Sequence, residues 1–288
     1  MPENPYLSYA ESFKKLTESG KTLPYGNIAP LKKVLPKNNA PIALIMSPHP
    51  DDECIMGGLP LRLMREAGFR IVNVAITLGS KMDRKKARLN ELRLACNWIG
   101  YELQEMGENG LEKVTIHSRQ NFPENWAVMK NQLVEVVNKW NPTAIFFPNS
   151  HDWNKTHLGV HMLTLDALKE MNDFFPFLIE TEYWGQMPQP NLLVESSTQE
   201  VADLLAALSH HEWELKRNPF HLRMPSWMQD NVRRGAEVIG GQGGNAPEFN
   251  FATLYRVTRW KNNKMLPAWQ GGRMLPSKSN SHKTVFAN

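Results

Sequence analysis

Pro41 to Gly58, PIALIMSPHPDDECIMGG, is the stretch that decides the fold. An apolar run of strand character, Ile42 to Met46, ends abruptly in Ser-Pro-His-Pro, followed by two adjacent carboxylates, Glu53, and small and apolar residues that open a helix. In an open α/β sheet, ligands collect at such a place, because the strand fixes the turn while the following loop leaves side chains free to face a crevice. His and Asp are both zinc ligands. Adjacent Asp51 and Asp52 point in different directions, so one can bind metal while its neighbour stays free as a base. Asp-Asp before a helix also serves as simple N-terminal capping, and His-Pro as a simple turn. The rest of the chain decides between these readings.

Working outward, the pattern predicts a helix from about Cys54 to Ala67, stopped by Gly68, and then a second apolar strand over Phe69 to Thr77. Strand, helix and strand in so short a span make a βαβ unit, which implies parallel strands and a right-handed crossover. A charged helix runs on to about Trp98, burying Leu89, Leu92, Ala95, Cys96 and Ile99. Of its basic first turns, Arg84, Lys85 and Lys86 read as solvated surface, and Arg88 is the exception to watch. Further strands are expected at Tyr101 to Met106, Pro142 to Pro148, Phe177 to Tyr183, Asn191 to Val194 and Phe249 to Arg259. Helices are expected at Tyr9 to Thr17, Trp126 to Trp140, Met162 to Met171, Val201 to His211 and Met228 to Ile239, with Glu108 to Asn125 irregular and Gly240 to Gly244 a flexible loop. The resulting class is α/β: a Rossmann-like, mostly parallel sheet flanked by helices, in a single domain with a C-terminal elaboration. We divide the chain into an N-terminal arm (1–40), the main domain (41–260) and a basic, loosely held tail (261–288).

The 288 residues are 41% hydrophobic, ample for a core, and 22% charged, a normal globular share. Net charge is 33 − 29 = +4, but the basic residues are scattered, which argues against a nucleic-acid groove and allows only weak attraction to anionic substrates. Two cysteines, Cys54 and Cys96, form no CxxC and read as reduced packing residues. The first residues, MPENPYLSYAESFKK, lack the apolar stretch of a signal peptide, and no later segment reaches a membrane-spanning length, so a cytoplasmic enzyme without stable membrane insertion is expected. A homo-oligomer is compatible with this composition.

A mononuclear catalytic zinc takes three protein ligands and keeps a fourth position for water. His49 and Asp52 supply two. The loop after the strand at Ala144 to Phe147 offers His151, His157 and His161, three histidines in eleven positions, with the last two one helical turn apart. Trp153, inside this loop, suits stacking on a pyranose.

At this point the chain resembles the LmbE/PIG-L family of zinc-dependent N-acetylglucosamine deacetylases. The resemblance rests on SPHPDDE (Ser47 to Glu53), on Arg88-x-x-Glu91-Leu92 followed by Ala95 to Gly100, and on His157-Leu-Gly-Val-His161, and covers Pro41 to Leu168. It implies that His49, Asp52 and His157 bind one Zn2+ per chain, other divalent metals fitting the same ligand types. It further implies that Asp51 is the general base that activates the bound water, that Glu53 is a structural partner, and that Arg88 lies at the substrate pocket, holding a sugar hydroxyl or a phosphate. Many members carry a histidine three positions before the third ligand. This chain has Asn154 there, so His151 and Asn154 are the two candidates for stabilising the oxyanion, with His161 placed among the substrate-binding residues. His210, His211 and His221 read as non-catalytic. The implied activity is removal of an N-acyl group, acetyl first, from an amino sugar or its conjugate. An amidase acting on a non-sugar or thiol-conjugate amide is the enzymatic alternative, and a non-catalytic sugar-binding protein of the same fold is the other, motivated only by Asn154.

Overall fold

The computed structural model describes residues 4–31 and 36–287. A helix α1 (Leu7–Gly20) precedes β1 (Ile42–Ser47), α2 (Asp52–Ile55), α3 (Leu59–Ala67) and β2 (Arg70–Ala75). Next come α4 (Met82–Ile99), β3 (Glu102–Glu105), α5 (Ile116–Asn121), α6 (Pro123–Trp140), β4 (Ala144–Pro148), α7 (Lys155–Lys169) and β5 (Phe177–Thr181). The C-terminal part adds β6 (Leu192–Glu195), α8 (Thr198–Leu208), α9 (Glu212–Arg217) and α10 (Met224–Gly240). It finishes with β7 (Ala252–Lys261), β8 (Lys264–Pro267), β9 (Arg273–Leu275) and α11 (Ser281–Phe286).

These strands form one mixed sheet in the order β3-β2-β1-β4-β5-β7-β6-β9, with β8 paired to β7. The first five are parallel to one another, β7 is antiparallel to both β5 and β6, and β9 is parallel to β6. β1 reads as a continuous apolar run because both its faces are covered: Ala43 and Ile45 pack with α3, α4 and α8 residues, Leu44 and Met46 with α6 and α7 residues. Strand order reverses between β1 and β4, since the chain runs outward to β2 and β3 and then returns to the other side of β1. At such a switch point the two following loops diverge and leave a crevice beyond the strand ends. The loops in question are His49 to Asp52 and Asn149 to Asn154.

Four expectations are corrected. The helix expected over Cys54 to Ala67 is two helices, α2 and α3, broken at Met56-Gly57-Gly58. Gly57 has φ +99°, and a Cβ there would lie 2.3 Å from Thr253 Oγ1 on β7. Tyr255 of the same strand spans the break, its hydroxyl donating to Met56 O at 2.9 Å and accepting from Leu59 N at 3.2 Å. The glycine pair breaks the helix locally, and the close approach of β7 requires that break. Second, the stretch read as irregular contains α5, capped by the Thr115 hydroxyl, which accepts from Ser118 N at 3.1 Å. Third, residues 264–286 are not a loose tail. Arg62, fully buried, donates to the carbonyls of Glu195, Leu275, Pro276 and Ser279 at 2.8–3.1 Å and pairs with Glu66. Phe286 stacks on Phe69 with ring centroids 5.3 Å apart. A polar stretch reads as solvated, but the two guanidinium Nη groups satisfy its carbonyls from inside while Nε is held by Glu66. Gly240 to Gly244 is likewise tied back onto α10, with Gly241 N bonded to Glu237 O and Gly243 N to the Glu237 carboxylate.

α7 crosses the segment before α5 at Gly159, where a Cβ would lie 2.1 Å from Val114 O. Gly159→Ala is therefore expected to lower stability by about 1–3 kcal/mol, read as a fall in denaturant midpoint. It should also loosen metal retention, because His157 sits two residues earlier on the same helix. Unchanged midpoint and metal content would refute the contact. Among the described residues, no helix is long and apolar enough to cross a membrane.

Candidate metal centre

His49 leaves the end of β1, Asp52 opens α2 and His157 lies in the first turn of α7. Their ligand atoms form a nearly equilateral triangle: His49 Nδ1 to His157 Nε2 is 3.2 Å, and Asp52 Oδ2 lies 3.4 Å from each of those nitrogens. A tetrahedral ion with bonds of 2.0–2.1 Å requires ligand-to-ligand edges of about 3.3–3.4 Å. The donor set and its spacing thus fit a divalent metal, with one position of the tetrahedron left for another ligand. Asp52 and His157 are buried and His49 partly so.

The outer faces of these ligands are fixed as well. His157 Nδ1 lies 3.2 Å from Asp152 Oδ2, which also accepts from Trp184 N at 3.3 Å, while Asp152 Oδ1 accepts from Asn154 N at 2.9 Å. With its proton held at Nδ1, His157 presents a lone pair at Nε2 to the ion. Burial works against a charged His157, but Asp52 and Asp152 outweigh it and raise its pKa. Asp52 is governed by the same pairing: burial pushes its carboxyl up, and the two histidines bring it below the usual carboxylate range. His49, by contrast, is held down by burial despite Asp52.

Asp51 stands apart from the triangle. Its backbone is left-handed, φ +118° and ψ −27°, a conformation that a residue with a Cβ adopts only under constraint. The constraint is Glu53, whose Oε2 accepts from Asp51 N at 3.0 Å and whose Oε1 meets His211 Nε2 at 2.7 Å. Glu53 and His211 are both fully buried. Burial, then the charges of Asp52, Glu53 and Glu214, push the Asp51 carboxyl well above its usual range, with Arg88 opposing. The two neighbouring carboxyls are thereby pushed apart, Asp52 below and Asp51 above the usual carboxylate range.

The remaining expected site residues are placed as follows. Arg88 donates to Pro50 O at 3.1 Å and lies 3.7 Å from Glu214, beside Asp51. The Asn154 side-chain oxygen caps α7, accepting from Thr156 N at 2.9 Å. His151 is on the exposed turn with Ser150 Oγ 3.0 Å from its Nδ1. Trp153 is 73% exposed at the same turn. His161 is buried away from the triangle, with Nδ1 2.9 Å from Pro148 O and its ring stacked on Phe147. Sequence reasoning missed Asp152, His211 as the partner of Glu53, and Tyr183, whose ring stands edge-on to His157 with centroids 4.9 Å apart. Asp152 carried a signal, lying within the quoted histidine loop; the other two carried none. Beside Tyr183 opens a cleft of about 250 Å³ lined by Ile55, Trp184, Phe220 and Trp227.

Among known families, residues 44–168 match the one described as PIG-L, GlcNAc-PI de-N-acetylase, in agreement with the resemblance read from the sequence. No curated protein matches the chain. Among solved structures it is similar to the conserved protein TT1542 of Thermus thermophilus, at 16% identity and TM-score 0.57, over 75% of this chain and 94% of that one. It is also similar to N,N'-diacetylchitobiose deacetylase of Pyrococcus horikoshii, at 16% identity and TM-score 0.53, over 86% and 92%. A third is GalB, the 4-carboxy-2-hydroxymuconate hydratase of Pseudomonas putida, at 15% identity and TM-score 0.56, over 75% and 95%. At these identities the likeness is one of fold, and the fold serves both an amide hydrolase and a hydratase.

Proposed function

We propose that this chain, which carries the PIG-L match across residues 44–168, is a zinc-dependent hydrolase that removes an N-acyl group, acetyl first, from an amino sugar or its conjugate. The observation that carries the reading is the triangle His49, Asp52, His157 at 3.2–3.4 Å with a second, separately held carboxylate beside it. Sugar binding alone has no use for a carboxyl whose proton affinity is raised next to a ligand set.

The reaction consumes water and an amide and yields a carboxylic acid and an amine, which end in water as carboxylate and ammonium. When bound, zinc supplies Lewis acidity that acidifies water and polarises the acyl oxygen, worth several kcal/mol of barrier. The work of this chain is proton transfer and positioning. Asp51 accepts the proton of the attacking water and returns it to the departing nitrogen, so no net proton stays on the protein. Glu53 and His211 hold Asp51 at its unusual backbone angle, and Asp152 holds His157. The aromatic cleft beside Tyr183 excludes water and offers apolar faces to a sugar ring or its aglycone. Trp153 offers a further stacking surface, and His151 or the Asn154 amide nitrogen supplies the oxyanion hydrogen bond.

Metal analysis combined with a screen for acetate release from N-acetylated sugars tests the reading. We expect one equivalent of zinc and turnover of at least one N-acetylglucosaminide. Zinc-loaded protein that hydrates an unsaturated acid and releases no acetate would replace this reading with the hydratase chemistry of the third structural relative. Release of acyl groups from non-sugar amides alone would leave the hydrolase and change the substrate.

A further inference from the structure

The turn from Glu182 to Met187, which follows β5, is tied to the metal centre and to the loop before α7. The Tyr183 ring stands edge-on to His157, and Trp184 N donates to the Asp152 oxygen that meets His157 Nδ1. Gly185 O accepts from Asn149 Nδ2 at 3.0 Å, and a Cβ on Gly185 would lie 2.5 Å from His151 O, so the two backbones are in contact. A surface turn holds such a position only where its own ends are fixed. Here one carboxylate fixes both. Glu182 is 1% exposed, and its Oε1 closes the turn by accepting from Met187 N at 2.8 Å. The same carboxylate takes the Arg234 guanidinium at two points, Nη1 to Oε2 at 2.9 Å and Nη2 to Oε1 at 3.0 Å. A planar fork on both oxygens leaves the carboxylate a single orientation. Arg234 sits on α10, 52 positions after Glu182, and its Nη1 also donates to Asn231 Oδ1 at 2.9 Å.

From this we infer that Arg234 is a positioning residue for the metal centre, acting through Glu182 and the turn it closes to keep Asp152 and His157 aligned. The grip of a histidine ligand depends on the group that holds its other ring nitrogen. That group is Asp152, and Trp184 N and Asn154 N are the two backbone donors that orient its carboxylate. Trp184 is thus the last link of a chain that starts on α10. Without Arg234, Glu182 would be a buried carboxylate that has lost its charge partner, and it would swing toward water or take up a proton. Either response loosens the turn, and with it the Trp184 donor to Asp152. The effect on metal binding is independent of the reaction performed; its expression as turnover rests on the deacetylase reading above.

Zinc affinity, measured by competition with a chelator, tests the assignment on wild type, Arg234→Gln and Arg234→Lys, with the denaturant midpoint of each metal-free protein as control. We expect affinity to fall about tenfold or more in Arg234→Gln, and by a smaller factor in Arg234→Lys, which keeps the charge but loses the fork. Asp152→Ala identifies the route. If Arg234 acts through Asp152, adding Arg234→Gln to Asp152→Ala costs little further affinity. A clamp that serves only the fold would lower the midpoint and leave zinc affinity at the wild-type value, or would add its full loss on top of Asp152→Ala; either result overturns the assignment. Should Arg234→Gln fail to fold, Arg234→Lys carries the same test, and wild-type zinc affinity in it is equally fatal. At saturating zinc, acetate release from an N-acetylglucosaminide is then compared between wild type and Arg234→Lys. Zinc affinity that depends on Arg234 in a protein releasing no acetate from any sugar would sink the deacetylase reading and leave the positioning role standing.

Discussion

Asp51→Asn should lower kcat by about 10²–10⁴ and leave one metal ion bound. The substitution keeps the shape and the left-handed backbone angle, which Asn adopts more readily than most residues, and removes only the ability to take a proton. His49, Asp52 and His157 make no hydrogen bond to the Asp51 carboxylate, so the ligand triangle is untouched. Full activity on an acetylated amine would end the general-base assignment. A second readout comes from the metal-free protein. The fold raises the pKa of Asp51 through burial and the charge of Asp52, so its neutral form is the one the native state prefers. Its contribution to stability is then fully present below the unfolded carboxylate pKa and is lost as pH rises through the raised native value. Metal-free Asp51→Asn should accordingly be more resistant to denaturant than metal-free wild type at about pH 7, with the difference vanishing toward about pH 4.

The other large effect belongs to His157→Ala. Truncation removes one of three ligands and strips Asp152 of its ring partner, leaving a buried carboxylate opposite a void. Breaking a buried pair from one side costs about 3–5 kcal/mol, so the metal-free variant should unfold at clearly lower denaturant than metal-free wild type. Metal content measured after gel filtration should drop to a small fraction of an equivalent. Stoichiometric zinc in the purified variant would remove His157 from the ligand set. His157→Ala/Asp152→Asn separates the two losses: the second change relieves the unpaired carboxylate and should restore part of the stability and none of the metal.

Much of the centre was legible in the sequence because it depends on local rules. A six-residue strand buried on both faces must read as a continuous apolar run, and ligands cluster where such a strand ends. The 105 positions between Asp52 and His157 became readable once the second histidine loop was seen to follow another buried strand. What stayed hidden is what the tertiary approach creates. Glu53 and His211 meet across 158 positions, and neither the acidic turn nor the doubled histidine announces the other. The Gly57-Gly58 pair carried a local signal for the break, but the contact that requires it, with β7, lies some two hundred residues away. Nothing around Arg62 in the chain announces that its guanidinium is fully buried among carbonyls. Arg84 read as surface for the same reason, since nothing near it in the chain foretells the Trp213 ring whose centroid lies 4.6 Å from its Cζ.

The Tyr255 hydroxyl that spans Met56 and Leu59 has a consequence for how little of this chain could stand alone. The stretch matching the family ends at residue 168, but the bend that turns the Asp51–Asp52 loop toward the crevice is clasped from outside that stretch, by a strand made almost ninety residues later. Cut off at the family boundary, the proposed ligands and the proposed base would all be present in the polypeptide while the mould that shapes them would be missing. The C-terminal third is thus part of the active centre's architecture without contributing a single atom to its ligand triangle.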